Sequence, residues 1–119
     1  MNKGRKVSGG KYHANRKKKF YEITNQEKIV TLGETKRKKI RGRGGNYKTV
    51  LLRTNVANIV TKQGTKKAEI KNVIETPQNK FLARQNRLMK GVIIETSLGR
   101  AKVTNRPAKE GSISAHLLE

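Results

Sequence analysis

The stretch "VIIETSLGRAKVTN", residues 92–105, places two apolar segments on either side of a short turn. Val92, Ile93 and Ile94 are consecutive β-branched residues, which favour a strand and leave it no polar face. Gly99 stands in the turn, where glycine can adopt the positive φ that tight hairpin loops require. The stretch therefore predicts two antiparallel strands, the first of which lies in a core.

The same pattern recurs along the chain from residue 20 onward. Short segments rich in Val, Ile, Thr and Leu are separated by glycine, proline or asparagine about every ten residues, which is typical of a β-sandwich or barrel. A second hairpin turn is predicted at residues 62–65. The predicted strands are residues 28–32, 35–41, 47–54, 55–61, 66–75, 92–96, 101–105 and 112–118.

The segment after the fifth strand breaks this pattern and predicts one short helix. Asn79 can cap a helix over residues 80–90, and Gly91 can end it. Four apolar residues would share one side of that helix. They are Phe81, Leu82, Leu88 and Met89. In the strand before it, the apolar residues facing the core are expected to be Ala68, Ile70 and Ile74, which alternate with charged residues.

The charge of the 119-residue chain is strongly positive. Lys and Arg number 29 against 8 Asp and Glu, a formal net charge of +21. Such a chain repels itself unless a polyanion neutralises it. Residues 1–53 carry 17 basic and 3 acidic side chains, against 12 and 5 in residues 54–119. The first half is therefore predicted to be the principal anion-binding region, and residues 1–19 alone in water are expected to be disordered.

The stretch "RGRGGNYK", residues 41–48, allows three readings: a disordered Arg-Gly tract, a glycine-rich phosphate loop or a hairpin tip. A dinucleotide loop would need a third glycine where Tyr47 stands, and residues 4–12 match a P-loop only loosely. Apolar residues flank the stretch on both sides, as they would in two strands. The pattern favours the tip of a hairpin between strands 35–41 and 47–54.

Other site chemistries find little support in the sequence. The absence of cysteine excludes disulfides and thiolate zinc sites, and His13 and His116 lack a second histidine at a chelating spacing. The acids are dispersed singly, so we expect no enzyme activity, no metal and no cofactor. No apolar run approaches the roughly 20 residues that span a bilayer. We expect a cytoplasmic protein without a membrane partner or a small-molecule substrate.

The five aromatic residues are too few for a base-reading sheet. Tyr12 and Tyr47 could each stack on one base, whereas Phe20, Tyr21 and Phe81 are assigned to the core or to a staple. The composition therefore favours recognition of structured RNA through its backbone and shape rather than base by base.

Three segments, in order and across almost the whole chain, resemble one family. They are "RKVSGGKYHANRKKKFYE" (5–22), "IRGRGGNYKTVLLRTNVANIV" (40–60) and "GVIIETSLGRAKVTNRP" (91–107), with a terminal "LLE". They look like the eukaryotic- and archaeal-type (e-type) family of small-subunit ribosomal protein eight, and the short length is similar to archaeal members. The chain departs from the family pattern in two places: residues 23–25 are Ile-Thr-Asn instead of Leu-Gly-Arg, and Gly42 replaces a bulkier residue.

The resemblance implies a mostly β fold, a small β-barrel of short antiparallel strands with one short helix at residues 20–119, and a basic, extended tail at residues 1–19. It also implies a non-catalytic constituent of the small subunit, bound to small-subunit rRNA beside neighbouring small-subunit ribosomal proteins. Two rivals are a free-standing basic nucleic-acid-binding protein of the RNA-chaperone or chromatin type, and an rRNA-processing enzyme.

Charge and resemblance together predict RNA contacts in three groups. The family's Ser/Thr-Gly-Gly motif falls on residues 8–10, its basic cluster on residues 16–19 and its glycine turn on residues 43–48. The tail group is Arg5, Lys6, Ser8, Gly9, Gly10, Lys11, Tyr12, His13, Arg16, Lys17, Lys18 and Lys19. The hairpin group is Lys36, Arg37, Lys38, Lys39, Arg41, Arg43, Gly44, Gly45, Asn46, Lys48 and Arg53. The last group is Arg84, Arg87 and Arg106.

Overall fold

The computed structural model of the chain describes residues 4–24 and 26–118. Residues 1–3 of the predicted tail, Asn25 and the terminal Glu119 therefore lie outside the described residues. The described part contains the strands β1 Thr31–Leu32, β2 Lys36–Arg41, β3 Tyr47–Thr54, β4 Val56–Thr61, β5 Gly64–Glu75, β6 Ile93–Thr96, β7 Gly99–Val103 and β8 Ser114–Leu117. It also contains the helices α1 Lys80–Arg84 and α2 Pro107–Glu110 and 3₁₀ turns at Phe20–Glu22 and Arg43–Gly45. The predicted mostly β fold is confirmed, and α2 is an addition to it.

Strands β4 to β8 form a closed barrel in chain order. Each consecutive pair is antiparallel, whereas β8 closes on β4 in parallel, with Asn58 beside Ser114. The parallel closure follows from the strand number: when direction reverses at every connection, the fifth strand runs the same way as the first. The predicted barrel of short antiparallel strands is confirmed, and this parallel pair completes it.

Small and large apolar side chains fill the barrel. Its inward positions alternate between alanine and branched residues, as the tapering interior of a small barrel requires. The buried alanines are Ala57, Ala68, Ala101 and Ala115, and the buried isoleucines are Ile59, Ile70, Ile94 and Ile113. Val92 and Ile94 of the opening stretch are buried as predicted, while Ile93 between them is half-buried.

A β-bulge in β5 corrects one core assignment. The pairing with β6 joins Ile70 to Thr96 and Asn72 to Glu95, so Lys71 is an extra residue on the β5 side. An extra residue shifts the side-chain alternation by one position. Val73 is consequently buried and Ile74 is exposed, so the prediction that Ile74 faces the core was wrong.

Strands β1, β3 and β2 form a separate three-stranded sheet in that order. β1 runs parallel to β3, and β2 pairs antiparallel with β3 as the predicted hairpin. Leu51 of β3 is buried and belongs to the same apolar cluster as the barrel interior, so the sheet is fixed to the barrel. Gly111, which follows α2, lies so close to β3 that a Cβ there would stand 3.0 Å from Thr49 Cγ2.

The predicted helix is present but ends at Arg84. Asn79 Oδ1 accepts a hydrogen bond from the Phe81 amide at 3.0 Å, which confirms the cap. Asn86 then takes a positive φ of 52°, which ends the helix. The Leu32 amide donates to the Asn86 carbonyl at 3.1 Å, and the Leu88 amide donates to the Val30 carbonyl at 2.9 Å. Pairing with the segment around β1 therefore replaces the expected second half of the helix.

The tail extends the molecule well beyond a compact domain. Residues 4–21 are all exposed, and the principal extents are 76 × 37 × 23 Å. The radius of gyration is 21.7 Å, against about 13.5 Å for a compact chain of this length. The extended basic tail of the predicted fold is thus confirmed for its described residues.

Candidate nucleic-acid interface

The hairpin of β2 and β3 presents a dense set of cations. In β2, which reads Lys-Arg-Lys-Lys-Ile-Arg, every position except Ile40 is exposed. Residues directly opposite in a pair of strands share a face. The register joins Lys36 to Arg53, Lys38 to Val50 and Ile40 to Lys48, so four cations lie on one face. Its other face carries Arg37, Lys39 and Arg41.

A bulge in the β2–β3 pairing explains how Arg53 joins that face. The register shifts between Lys36 and Arg37, because Arg37 pairs with Leu51 while Lys36 pairs with Arg53. Leu52 is therefore an extra residue in β3, and the alternation changes there. The bulge allows Leu51 to be buried while Arg53, only two residues later, is exposed beside Lys36.

Most of these cations have no intramolecular counterpart. The side chains of seven of them make no hydrogen bond or ion pair with any described residue. They are Lys36, Lys38, Lys39, Arg41, Arg43, Lys48 and Arg53. No acidic residue occurs between positions 36 and 53 to offset their mutual repulsion. The positive charge of the hairpin is therefore not compensated by acidic side chains within residues 36–53, and a polyanion would neutralise it.

Arg37 differs from its neighbours because it supports the fold. Its Nε donates a hydrogen bond of 2.9 Å to the carbonyl of Gly111, a buried residue after α2. This bond ties the edge strand β2 to the end of α2. The predicted RNA contact at Arg37 thus falls on a side chain that already has a structural partner.

The hairpin tip, residues 42–46, confirms the predicted turn. Gly44 and Gly45 take positive φ values of 70° and 76°. The Gly42 amide donates to the Asn46 carbonyl at 2.6 Å, and this bond closes the loop. Gly42 itself is extended, with φ of −103°, so its backbone does not require glycine. Arg41, Arg43 and Lys48 are exposed around the tip.

The first part of the tail forms a small hairpin turn. The Lys6 amide donates to the Gly10 carbonyl and the Gly9 amide to the Lys6 carbonyl, each at 2.8 Å, and Gly9 has a φ of 81°. A three-residue loop ending in a left-handed glycine is a common hairpin connection. Arg5 Nη1 donates to the Gly9 carbonyl at 3.1 Å. The Ser8-Gly9-Gly10 motif therefore makes a turn that exposes its basic neighbours, among them Lys11.

Residues 16–22, which we call the elbow, join the tail to the rest of the chain. Arg16 donates two hydrogen bonds to the Glu22 carboxylate, at 2.8 and 3.1 Å, and the Lys19 amide donates a third at 3.0 Å. The Arg16 guanidinium, followed by the Lys19 amide, lowers the pKa of Glu22 below its ordinary value. The elbow is thus a locally ordered turn that holds Arg16 and Lys19 of the basic cluster against Glu22.

Comparisons with known proteins match almost the whole chain and agree on one family. The family model described as ribosomal protein S8e matches residues 1–118. The chain belongs to the ribosomal protein S8e family. It is 40% identical to a protein of Haloarcula marismortui over 97% of this chain and 94% of the relative, and 44% identical to one of Methanococcus aeolicus over 96% and 91%. It is 42% identical to one of Methanocorpusculum labreanum over 97% and 94%. All three relatives are named small ribosomal subunit protein eS8.

In this S8e-family chain, the sequence patterns misplaced three of the five aromatic residues. All five side chains are exposed: Phe20 at 94%, Tyr21 at 70%, Tyr47 at 68%, Phe81 at 67% and Tyr12 at 52%. The assignment of Phe20, Tyr21 and Phe81 to the core or a staple was therefore wrong. Lys19 precedes the pair Phe20-Tyr21 and Lys80 precedes Phe81, and that proximity was the available signal.

Cations approach three of these rings. Lys6 Nζ lies 5.8 Å from the Tyr12 ring centroid, Lys19 Nζ 6.0 Å from that of Tyr21, and Arg84 Cζ 6.0 Å from that of Phe81. These distances are within the range of cation–π contacts. An exposed ring beside a cation can stack on a base while the cation meets a phosphate.

The remaining predicted contacts of this S8e-family chain are dispersed. Arg87 forms an isolated β-bridge with Thr31, and Thr31 pairs with Arg53. Because Arg53 pairs in turn with Lys36, Arg87 lies in one row across the strands with Arg53 and Lys36. Arg106 precedes α2 and lines a groove that Arg87 also lines. His13 and Lys17 and Lys18 are exposed in the tail. The structure therefore gathers the predicted residues into a hairpin group and a tail group, with Arg84 and Arg106 apart.

Within residues 4–24 and 26–118, no three His, Asp or Glu side chains are grouped as a metal site would require. Among the helices of that described part, neither has the length and apolar character needed to cross a membrane.

Proposed function

We propose that this S8e-family chain is a structural constituent of the small ribosomal subunit that binds and stabilises small-subunit rRNA. The observation that carries the proposal is the β2–β3 hairpin, where seven exposed cations have no partner among the described residues. The names of the relatives, small ribosomal subunit proteins, support the same assignment.

Binding would be dominated by the phosphate backbone. Each phosphate that meets a lysine or arginine releases condensed counterions, and the affinity falls with salt by a slope of about 0.9 per contact on a duplex and about 0.7 on a single strand. The hairpin would dock as a preformed ribbon, because the barrel holds its base through Leu51 and Arg37. Little ordering entropy is then lost there on binding.

The tail, residues 1–19, would act as a second binding region and residues 20–119 as the domain that anchors it. Its turn and the elbow that follows keep short stretches ordered. The exposed Tyr12 in the tail, with Phe20 and Tyr21 directly after it, adds surfaces for unpaired bases. This combination favours shape and backbone recognition supplemented by stacking. No catalytic step, cofactor or small-molecule substrate belongs to the proposal, and neighbouring ribosomal proteins in the cytoplasm complete the set of partners.

Sedimentation tests the assignment. A lysate of cells that express a tagged full-length chain is separated on a sucrose gradient, and the chain is expected to travel with the small subunit at moderate salt. After ribonuclease treatment it should move to the top of the gradient. Migration with chromosomal DNA, or a soluble pool unaffected by ribonuclease, would overturn the assignment and favour a free-standing nucleic-acid-binding protein.

A further inference from the structure

A groove outside the hairpin and tail suggests a second kind of partner. Three segments meet at it: residues 26–30 before β1, residues 87–90 after α1, and residues 106–109 at the start of α2. The cavity has a volume of about 440 Å³. Gln78 Nε2 donates to the Lys90 carbonyl at 2.9 Å and fixes Lys90 at the wall.

The floor of the groove is an extension of the protein core. Val30 and Leu88 are buried members of the main apolar cluster, and Met89 and Ala108 pack against that cluster. Ile29 beside them is 44% exposed. The groove is therefore preformed and lined by aliphatic side chains whose positions the barrel determines.

The rim of the groove is mostly cationic. Five basic side chains and one acidic side chain line it. They are Lys28, Arg87, Lys90, Arg106, Lys109 and Glu27. None of the five cations makes a side-chain hydrogen bond or ion pair with a residue of the described ranges. An occupant with acidic groups would complement this rim.

We propose that the groove binds an acidic segment with aliphatic side chains from another protein of the small subunit. An aliphatic floor gains most from burying aliphatic groups, and a cationic rim selects acidic neighbours. This inference rests on the proposed function and deepens it, because it assigns Arg87 and Arg106 to a contact with a neighbouring protein.

Two observations favour a protein occupant over RNA. No aromatic ring lines the groove, although unpaired bases are commonly bound by stacking on such rings. The floor is aliphatic, with Val30 and Leu88 in the main apolar cluster and Met89 and Ala108 packed against it. Such a floor can bury the aliphatic side chains of a protein segment, which RNA does not have.

Site-specific photocrosslinking in assembled subunits tests the inference. Ile29 is replaced by p-benzoylphenylalanine in the full-length chain, small subunits are purified and irradiated, and the crosslinked peptide is identified by mass spectrometry. We expect a crosslink to another ribosomal protein, within a segment that contains Asp or Glu and aliphatic residues. A crosslink to rRNA, or to no other protein, would overturn the inference.

The same crosslinker at Tyr47, on the hairpin, should react with rRNA and serves as the matched control. Adding the charge reversals Lys90→Glu and Lys109→Glu should lower the protein crosslink from position 29 about tenfold, since both would then repel the acidic segment. The Tyr47 crosslink should not change. Equal yields from position 29 would contradict the inference. Absence of the unmodified chain from the subunits would instead refute the proposed function, and the groove inference with it.

Discussion

Replacing three unpartnered lysines of the hairpin should weaken RNA binding without weakening the fold. Lys38, Lys39 and Lys48 are exposed, carry no intramolecular partner among the described residues and occupy both faces of the β2–β3 ribbon. If each meets one phosphate, the triple Lys→Gln variant should bind with a salt slope smaller by about 2 to 2.7. At 0.1 M salt that difference corresponds to an affinity loss of about 100- to 500-fold.

Arg37→Gln is the matched control, because Arg37 lies on the same strand but donates to the Gly111 carbonyl. Its loss leaves a buried acceptor unpaired, which costs about 1 to 3 kcal/mol. For a domain of this size the melting temperature should fall by about 4 °C for each kcal/mol. The slope should change by one contact at most, about 0.9.

Binding to full-length small-subunit rRNA is measured by filter retention between about 50 and 200 mM salt, and stability by thermal melting followed by circular dichroism. The triple variant should change the slope and keep its melting temperature, and Arg37→Gln should do the reverse. A triple variant with an unchanged slope would refute the assignment of the hairpin as the phosphate-binding surface. An unchanged melting temperature of Arg37→Gln would refute the structural role of its bond.

Three further changes have definite expected outcomes. Gly44→Ala forces a side chain to a φ of 70° and should destabilise the hairpin tip by about 1 to 2 kcal/mol. Gly42→Ala lies at an extended φ of −103° and should be close to neutral. Hydrogen-exchange protection of the loop measures both changes, and equal effects would contradict the turn. Gly111→Ala combines a φ of 73° with a Cβ only 3.0 Å from Thr49 Cγ2 and should lower the melting temperature clearly. Gly10→Ala should not, because its Cβ would meet only Ser8 Oγ, at an ordinary contact distance of 3.8 Å. Acidification should loosen the elbow: the pKa of Glu22 is lowered, so its pairing with Arg16 is present at neutral pH and is lost only as the pH falls through a value below the ordinary 4.5. NMR titration of the Glu22 side chain should show this, and a titration at or above that ordinary value would contradict the pairing.

Much of the barrel could be predicted from local pattern. The hairpin of residues 92–105 and the glycine turn at residues 44–45 are correct because β-branched runs and left-handed glycines act within a few residues. The helix was predicted too long because its second half pairs instead with residues 30–32, more than fifty positions earlier. A choice between helix and such distant pairing depends on the tertiary fold, which local propensity does not contain.

Local sequence pattern did not predict the bulges or the exposure of three aromatic residues. Nothing in the sequence around Lys71 or Leu52 marks an extra residue. The burial of Val73 in place of Ile74 can therefore be predicted only when the pairing with the partner strand is known. Phe20, Tyr21 and Phe81 look like core residues by type. All three are nevertheless exposed, and the only signal in the sequence was the lysine that precedes each aromatic stretch, Lys19 before Phe20-Tyr21 and Lys80 before Phe81.

The parallel pairing of β8 with β4 also sets an order of events during synthesis. β8 is made more than fifty residues after β4, and the barrel cannot close before β8 is made. Until then two strand edges stay unpaired, and such edges invite contacts with other chains. In the nascent chain, the basic hairpin of β2 and β3 would thus be synthesised in full while the barrel is still open.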